Sequence, residues 1–187
     1  MWKRLTFGVS NGKLLIVYLK WTESMKTCCV TGNRPQKFPW KYGEGKKHEK
    51  YLASLARQID DLLGRGYLHF ISGGALGVDQ DFAETVLCAK EIYDPITLEI
   101  AVPCPMQDLH WSEAEQLRYR SILERADRVV VLSKNYTNYC MQKRNEYMVD
   151  KSNLVLAYWN GEESGGTWNT MNYARLQQKP VRIIRLN

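Results

Sequence analysis

The chain has 187 residues, 44% of them hydrophobic and 25% charged, with a net charge of +6. That composition is ordinary for a soluble globular domain and excludes a disordered chain, a coiled coil and a collagen-like repeat. The longest apolar run, Leu14–Leu19, is far short of the roughly 20 residues that a membrane-spanning helix requires.

The charge is unevenly placed. Residues 1–24 carry a balance of +3 and residues 34–50 a balance of +4, so the remainder is near neutral. The second stretch holds Arg34, Lys37, Lys41, Lys46, Lys47 and Lys50. A local basic run suits an anionic partner, either a phosphate-bearing ligand or nucleic acid, although exposed lysines are also common on solvated faces. The five cysteines form no CxxC pair and the three histidines have no metal-ligand spacing, so no metal and no cofactor are expected. Cys28 and Cys29 are neighbours in a strand-like run and should point to opposite sheet faces, as buried reduced thiols of a cytoplasmic protein.

In chain order, Leu5–Val9 and Leu14–Leu19 flank Ser10-Asn11-Gly12, a hairpin turn signal. Residues 1–24 therefore read as an appendage or short hairpin preceding a domain of residues 25–187. From there strands and helices alternate. Thr27–Thr31 is a strand, and Lys47–Leu63 is a helix with Leu52, Leu55, Ile59, Leu62 and Leu63 on one face. Tyr67–Ile71, Thr97–Val102, Arg128–Leu132, Asn153–Tyr158 and Val181–Arg185 are the later strands. The helices between them are Gly77–Lys90, Ser112–Arg125, Tyr139–Lys151 and Gly166–Gln177, the second of these opened by a Ser112-x-x-Glu115 capping box. Every crossover is long enough for a helix, which predicts a doubly wound, mostly parallel Rossmann-like α/β sheet with helices on both faces.

Ligands of such sheets sit beyond the carboxyl ends of the strands. Three turns there are rich in glycine and small hydroxyl residues: Thr31-Gly32-Asn33-Arg34, Ser72-Gly73-Gly74 running through Gly77 to Asp79, and Ser164-Gly165-Gly166-Thr167. Free N–H groups at a helix start, with glycine allowing close approach, make each a candidate phosphate cradle. There is no GxGxxG after the first strand and no Walker lysine, which disfavours a dinucleotide oxidoreductase and a P-loop NTPase. Trp111, Tyr119, Tyr136, Tyr139, Tyr147 and Trp159 are the aromatics weighed as base-stacking partners; Tyr136, in a loop after a strand, is the one least expected to be core.

The runs TGNRP, ISGGALGVDQDFAETVL, RYRSILERADRVVVLS, CMQKRNEYMVD and GGTWNTMNYA resemble, in this order, the YpsA-like family of the SLOG superfamily, whose relatives include the DprA/Smf and LOG proteins. The resemblance runs from about Met25 to the C-terminus. It implies a nucleotide-type pocket lined by Thr31, Gly32, Asn33, Arg34, Ser72, Gly73, Gly74, Gly77, Asp79, Arg144, Gly165, Gly166 and Thr167, to which Tyr136 is added as the stacking candidate. LOG enzymes carry a glutamate where Thr170 stands here; Asp79 and Asp150 are then the pocket-side carboxylates. The expected function is binding, by sensing or sequestration, of a nucleotide or nucleotide-derived ligand such as an ADP-ribose-like molecule. The alternatives are a nucleotide N-glycosidic or phosphate hydrolase of LOG kind and DprA-like single-stranded DNA binding. No membrane partner is expected, and homo-oligomerisation is left open. Arg34 and Arg144 are expected to contact an anion and to be replaceable without loss of unliganded stability.

Overall fold

The computed structural model describes residues 25–187 in full and, before them, the backbone of strands β1 (Arg4–Ser10) and β2 (Lys13–Tyr18). These two pair antiparallel as a separate two-stranded sheet, from Ser10 opposite Lys13 out to Arg4 opposite Tyr18. The Asn11-Gly12 turn lies outside the described residues.

The main sheet is built from β3 (Lys26–Gly32), β4 (Tyr67–Ser72), β5 (Thr97–Val102), β6 (Arg128–Val131), β7 (Leu154–Trp159) and β8 (Val181–Arg185). Between them lie α1 (Gly45–Gly64), α2 (Val78–Lys90), α3 (Glu113–Arg125), α4 (Cys140–Asp150) and α5 (Gly165–Leu176). All six strands are parallel, in the order β6-β5-β4-β3-β7-β8. The chain starts at the centre with β3, runs outward to β6, then returns to the other side of β3 as β7. The strand order therefore reverses between β3 and β7, where open α/β sheets bind ligands.

Both faces are covered, so the central strands read as continuous apolar runs. On one face Cys28, Val30, Phe70, Leu98, Leu156 and Tyr158 pack against α1, α2 and α3. On the other, Cys29, Ile71, Ala101 and Val155 meet Met148 and Val149 of α4 and Ala174 of α5. Cys28 and Cys29 thus do divide between the two faces, and burial pushes the Cys29 thiol up to about 12. Cys104 and Cys140 are also buried, whereas Cys88 is exposed.

The inward face of α1 is His48, Tyr51, Leu55, Ile59 and Leu62, which keeps three of the five expected residues and has His48 and Tyr51 in place of Leu52 and Leu63. Leu52 lies one position round from Tyr51, about 100° of helix rotation, and faces solvent. In α2, Val78, Phe82 and Val86 are fully buried as the periodicity predicts. The capping box of α3 is present in both directions: the Ser112 hydroxyl accepts from the Glu115 N–H, and the Ser112 N–H donates to the Glu115 carboxylate at 2.8 Å. Ser112→Ala should therefore cost about 0.5–2 kcal/mol, seen as a lower urea midpoint with an unchanged m-value.

Beneath the 38–51 segment lies a polar anchor that no sequence motif announces. Asp81, buried in the first turn of α2, accepts from the hydroxyls of Tyr42 at 2.6 Å and Tyr51 at 2.7 Å and from Arg118 of α3 at 2.7 Å. Burial, with the Asp81 carboxylate alongside, raises both tyrosine hydroxyls well above their ordinary value, so they act as fixed neutral donors. Phe38 packs edge-on against both tyrosines, His48 edge-on against Tyr42 and tilted against Tyr51, and Trp40 tilted against Tyr51.

Candidate functional site

The exits of β3 and β7, the start of α5 and one face of α4 enclose a cleft of about 290 Å³ at the point where strand order reverses. Its floor is apolar, from Val30, Ala75, Met141 and Met148. Its walls are polar: Thr31, Asn33, Arg34 and Lys37 after β3, Arg144 and Asn145 on α4, and Ser164–Thr167 before and within α5. Met141, Arg144, Asn145 and Met148 share one helical face by their i, i+3, i+4, i+7 spacing.

The glycines that looked alike in sequence have different roles. At Gly32 a Cβ would lie 2.4 Å from Val78, and at Gly77, where φ is +89°, it would lie 2.6 Å from the Asn33 carbonyl oxygen. These two let the start of α2 press against the exit of β3. At Gly73 a Cβ would lie 1.7 Å from the Arg144 guanidinium, and at Gly74 2.8 Å from the Tyr119 ring. Ser72 closes the same turn, its hydroxyl donating to the Asp79 carbonyl at 2.7 Å and accepting from the Gly74 N–H. The turn after β4 is therefore filled by protein. Gly165 and Gly166 differ: their nearest neighbours are Lys37 Nζ at 4.0 Å and Asn145 Nδ2 at 3.9 Å, across the cleft. The N-cap Ser164 makes no side-chain cap bond to α5, so the free N–H groups of that helix start open on the cavity.

Arg144 is the centre of the site and is buried. Its Nη1 donates to the Gly73 carbonyl at 2.7 Å and faces Asp79 Oδ2 at 3.5 Å; its Nε donates to Asn145 Oδ1 at 2.8 Å. Burial pushes the Asp79 carboxyl up, with Arg144 and Arg34 pulling the other way. Arg34 also lines the cleft, but it is exposed and makes no side-chain hydrogen bond among the described residues. Lys37 pairs with Glu162 across the mouth, and the Asn160 amide donates to the Lys37 carbonyl at 3.2 Å. Among the described residues the cleft thus presents three cationic groups and one lining carboxylate, Asp79, already facing Arg144.

Of the residues expected at the site, Thr31, Gly32, Asn33, Arg34, Asp79, Arg144, Gly165, Gly166 and Thr167 line this cleft. Ser72, Gly73, Gly74 and Gly77 sit behind it as its support. Tyr136 does not line it; it is 69% exposed on the loop after β6. Asp150 is not pocket-side either. It ends α4, six residues beyond Arg144 and so about 9 Å further along the axis, and accepts from the Tyr173 hydroxyl. Thr170 lies within α5 and donates to the Gly166 carbonyl of its own helix at 2.7 Å. Ser164, part of the third glycine-rich turn, also lines the cleft. Sequence reasoning passed over Lys37, Met141 and Met148 as site residues; the shared helical face with Arg144 was the signal available for the two methionines.

Among the described residues no helix is long and apolar enough to cross a membrane, and no group of three metal-ligating side chains occurs. The YpsA family model, described as the YspA SLOG family, matches residues 28–186. The chain is 36% identical over 151 residues to the SPbeta prophage-derived protein YoqJ of Bacillus subtilis, covering 74% of this chain and 88% of that one. It is 34% identical over 137 residues to a UPF0398 protein of Halalkalibacterium halodurans, covering 70% and 72%. Among solved structures, DNA processing protein A from Helicobacter pylori, described for its single-stranded DNA binding mode, superposes with a TM-score of 0.57 at 20% identity, over 87% of this chain and 67% of that one. At that identity the likeness is one of fold, and it agrees with the Rossmann-like sheet. The match over most of the length and the shared identity with YoqJ lead to one conclusion: the chain belongs to the YpsA family of SLOG proteins.

Proposed function

We propose that the cleft binds a phosphate-bearing, nucleotide-type ligand and holds it without rapidly cleaving it. The observation that carries this reading is the open start of α5. Gly165 and Gly166 leave room for an anion against free helix N–H groups, and Arg34, Lys37 and Arg144 are cations of the same cleft. Helix N-termini and guanidinium groups are the natural partners of phosphate oxygens. The carboxylates support the reading that the ligand is not rapidly cleaved. Asp79 is held between Arg144 and the Ala75 N–H, Asp150 is out of reach, and the Thr170 hydroxyl is turned into its own helix. None is placed to act as a general base on a bound ligand, a role worth about 10²–10⁴-fold in rate.

Calorimetry with nucleoside mono- and diphosphates, ADP-ribose and NAD, followed by chromatography, tests both halves. Binding of at least one of these without release of base or phosphate is expected. Turnover near the roughly 10 s⁻¹ of typical enzymes, lost in Asp79→Asn, would replace the binder with a hydrolase. Tight, steeply salt-dependent binding of an oligonucleotide, with no small ligand bound, would point to single-stranded DNA instead. Arg34→Ala should weaken the bound phosphate ligand about tenfold or more, since a charge-assisted contact is worth roughly 1.5–3 kcal/mol. Its unliganded melting temperature should not move, because the Arg34 side chain makes no hydrogen bond among the described residues. Unchanged affinity in that variant would remove Arg34 from the site.

A further inference from the structure

We infer that the cleft reads the phosphate and the sugar of its ligand and is indifferent to the base, so that a phosphorylated pentose satisfies it as well as a nucleotide. This rests on the phosphate-binding reading above and adds a ligand class to it.

The reason is what lines the cavity and what does not. Among the described residues, none that lines the cleft is aromatic. Each aromatic side chain weighed as a stacking partner has another place. Trp111 meets Tyr119 edge-on, and Tyr119 accepts a hydrogen bond from Gln107 at 2.7 Å. Tyr147 donates to the buried Glu99 at 2.8 Å, and Tyr139 donates to Glu146 at 2.6 Å along α4. Trp159 stacks on Trp168 and also carries the Arg185 guanidinium 4.2 Å from its ring centroid, and Tyr136 projects from a loop outside the cleft. A base bound by protein normally gains its affinity from ring stacking and from hydrogen bonds along its edge. Here the apolar floor consists of short or flexible side chains, Val30, Ala75, Met141 and Met148.

The polar groups have the opposite bias. The Thr31, Ser164 and Thr167 hydroxyls make no side-chain hydrogen bond among the described residues. Asn33 and Asn145 use their side-chain oxygens on the Asn160 N–H and on Arg144, which leaves both amide NH₂ groups without an acceptor among the described residues. Hydroxyls that donate and accept, beside amide donors and cations, match sugar hydroxyls and phosphate oxygens. A volume of about 290 Å³ lies at the lower end of the roughly 300–1,000 Å³ range of small-molecule pockets. That is enough for a sugar phosphate, with a base left at the mouth.

The test is calorimetry on the full chain with ribose 5-phosphate, AMP, CMP, GMP, adenosine, inorganic phosphate and ribose. The expected result is that ribose 5-phosphate and the three nucleotides bind within tenfold of one another. Adenosine and ribose should not bind measurably, and inorganic phosphate should bind more than tenfold more weakly than ribose 5-phosphate. Asn145→Ala should weaken ribose 5-phosphate and AMP by the same factor. A spread above tenfold among the nucleotides, or a nucleotide more than tenfold tighter than ribose 5-phosphate, shows base reading and overturns the inference alone. Adenosine binding does the same. Inorganic phosphate binding within tenfold of the sugar phosphate overturns the sugar half. If no phosphate compound binds, the phosphate-binding reading fails and this inference with it.

Discussion

Replacing Arg144 by alanine should destabilise the unliganded protein by about 3–5 kcal/mol, the cost of leaving one partner of a buried ion pair alone. For a chain of this size that corresponds to roughly 6–20 °C in melting temperature. From the sequence, Arg144 reads as an arginine whose loss the empty protein would tolerate. The structure overturns that expectation, because Asp79 is buried beside it at 3.5 Å and the Gly73 carbonyl has Nη1 as its donor at 2.7 Å. The loss should depend on pH in a defined sense. The folded Asp79 carboxyl is already raised by burial, with Arg144 opposing the rise. Without Arg144 it rises further, so the folded state holds its proton more tightly than the unfolded state does. Stability of Arg144→Ala should then be best at or below the ordinary aspartate range near pH 4 and decline as pH rises through the raised folded value. Denaturant melts at several pH values check the sign; a deficit that grows toward acid would refute it. The double variant Arg144→Ala/Asp79→Ala should recover part of the loss, because the buried charge is gone with its partner. A purely additive cycle would show that the pair is not coupled.

Asp81→Ala should be comparably severe, again about 3–5 kcal/mol. Three donors converge on this carboxylate, and one of them, the Tyr51 hydroxyl, is buried with no second acceptor among the described residues. Arg118 keeps Glu84 at 2.6 Å, so it is not stranded. Tyr51→Phe should be milder, about 0.5–1.5 kcal/mol, since Asp81 retains Tyr42 and Arg118. The order of the two melting temperatures is the measurement, with Asp81→Ala expected well below Tyr51→Phe. Near-equal melting temperatures would mean that the carboxylate is not the centre of the cluster. Because this anchor holds the 38–51 segment directly after Arg34 and Lys37, the Asp81 variant should also bind phosphate ligands more weakly.

How much of this was legible beforehand differs by level. Local chemistry was sufficient wherever the signal was periodic or used a short motif. The six strands and five helices of the main sheet are found within a few residues of their expected bounds, and the Ser112–Glu115 capping box is present because all of its partners lie within four residues. The opposite facing of Cys28 and Cys29 follows from strand geometry alone. The Gly165-Gly166 turn and Arg34, singled out by their positions after β7 and β3, do line the cleft.

The tertiary structure decided which of three similar glycine turns remains open. Gly32, Gly73 and Gly77 are needed because Val78, Arg144 and the Asn33 backbone come within a Cβ radius of them, and each of those contacts crosses between segments 44 to 71 residues apart. A sequence window holds a glycine but not the atom that approaches it. The same reason applies to charge. Arg144 and Asp79 are 65 residues apart, and Asp81 and Arg118 are 37 apart. Whether such a residue is a solvated cation or half of a buried pair is set by desolvation, which exists only after the sheet has closed over it.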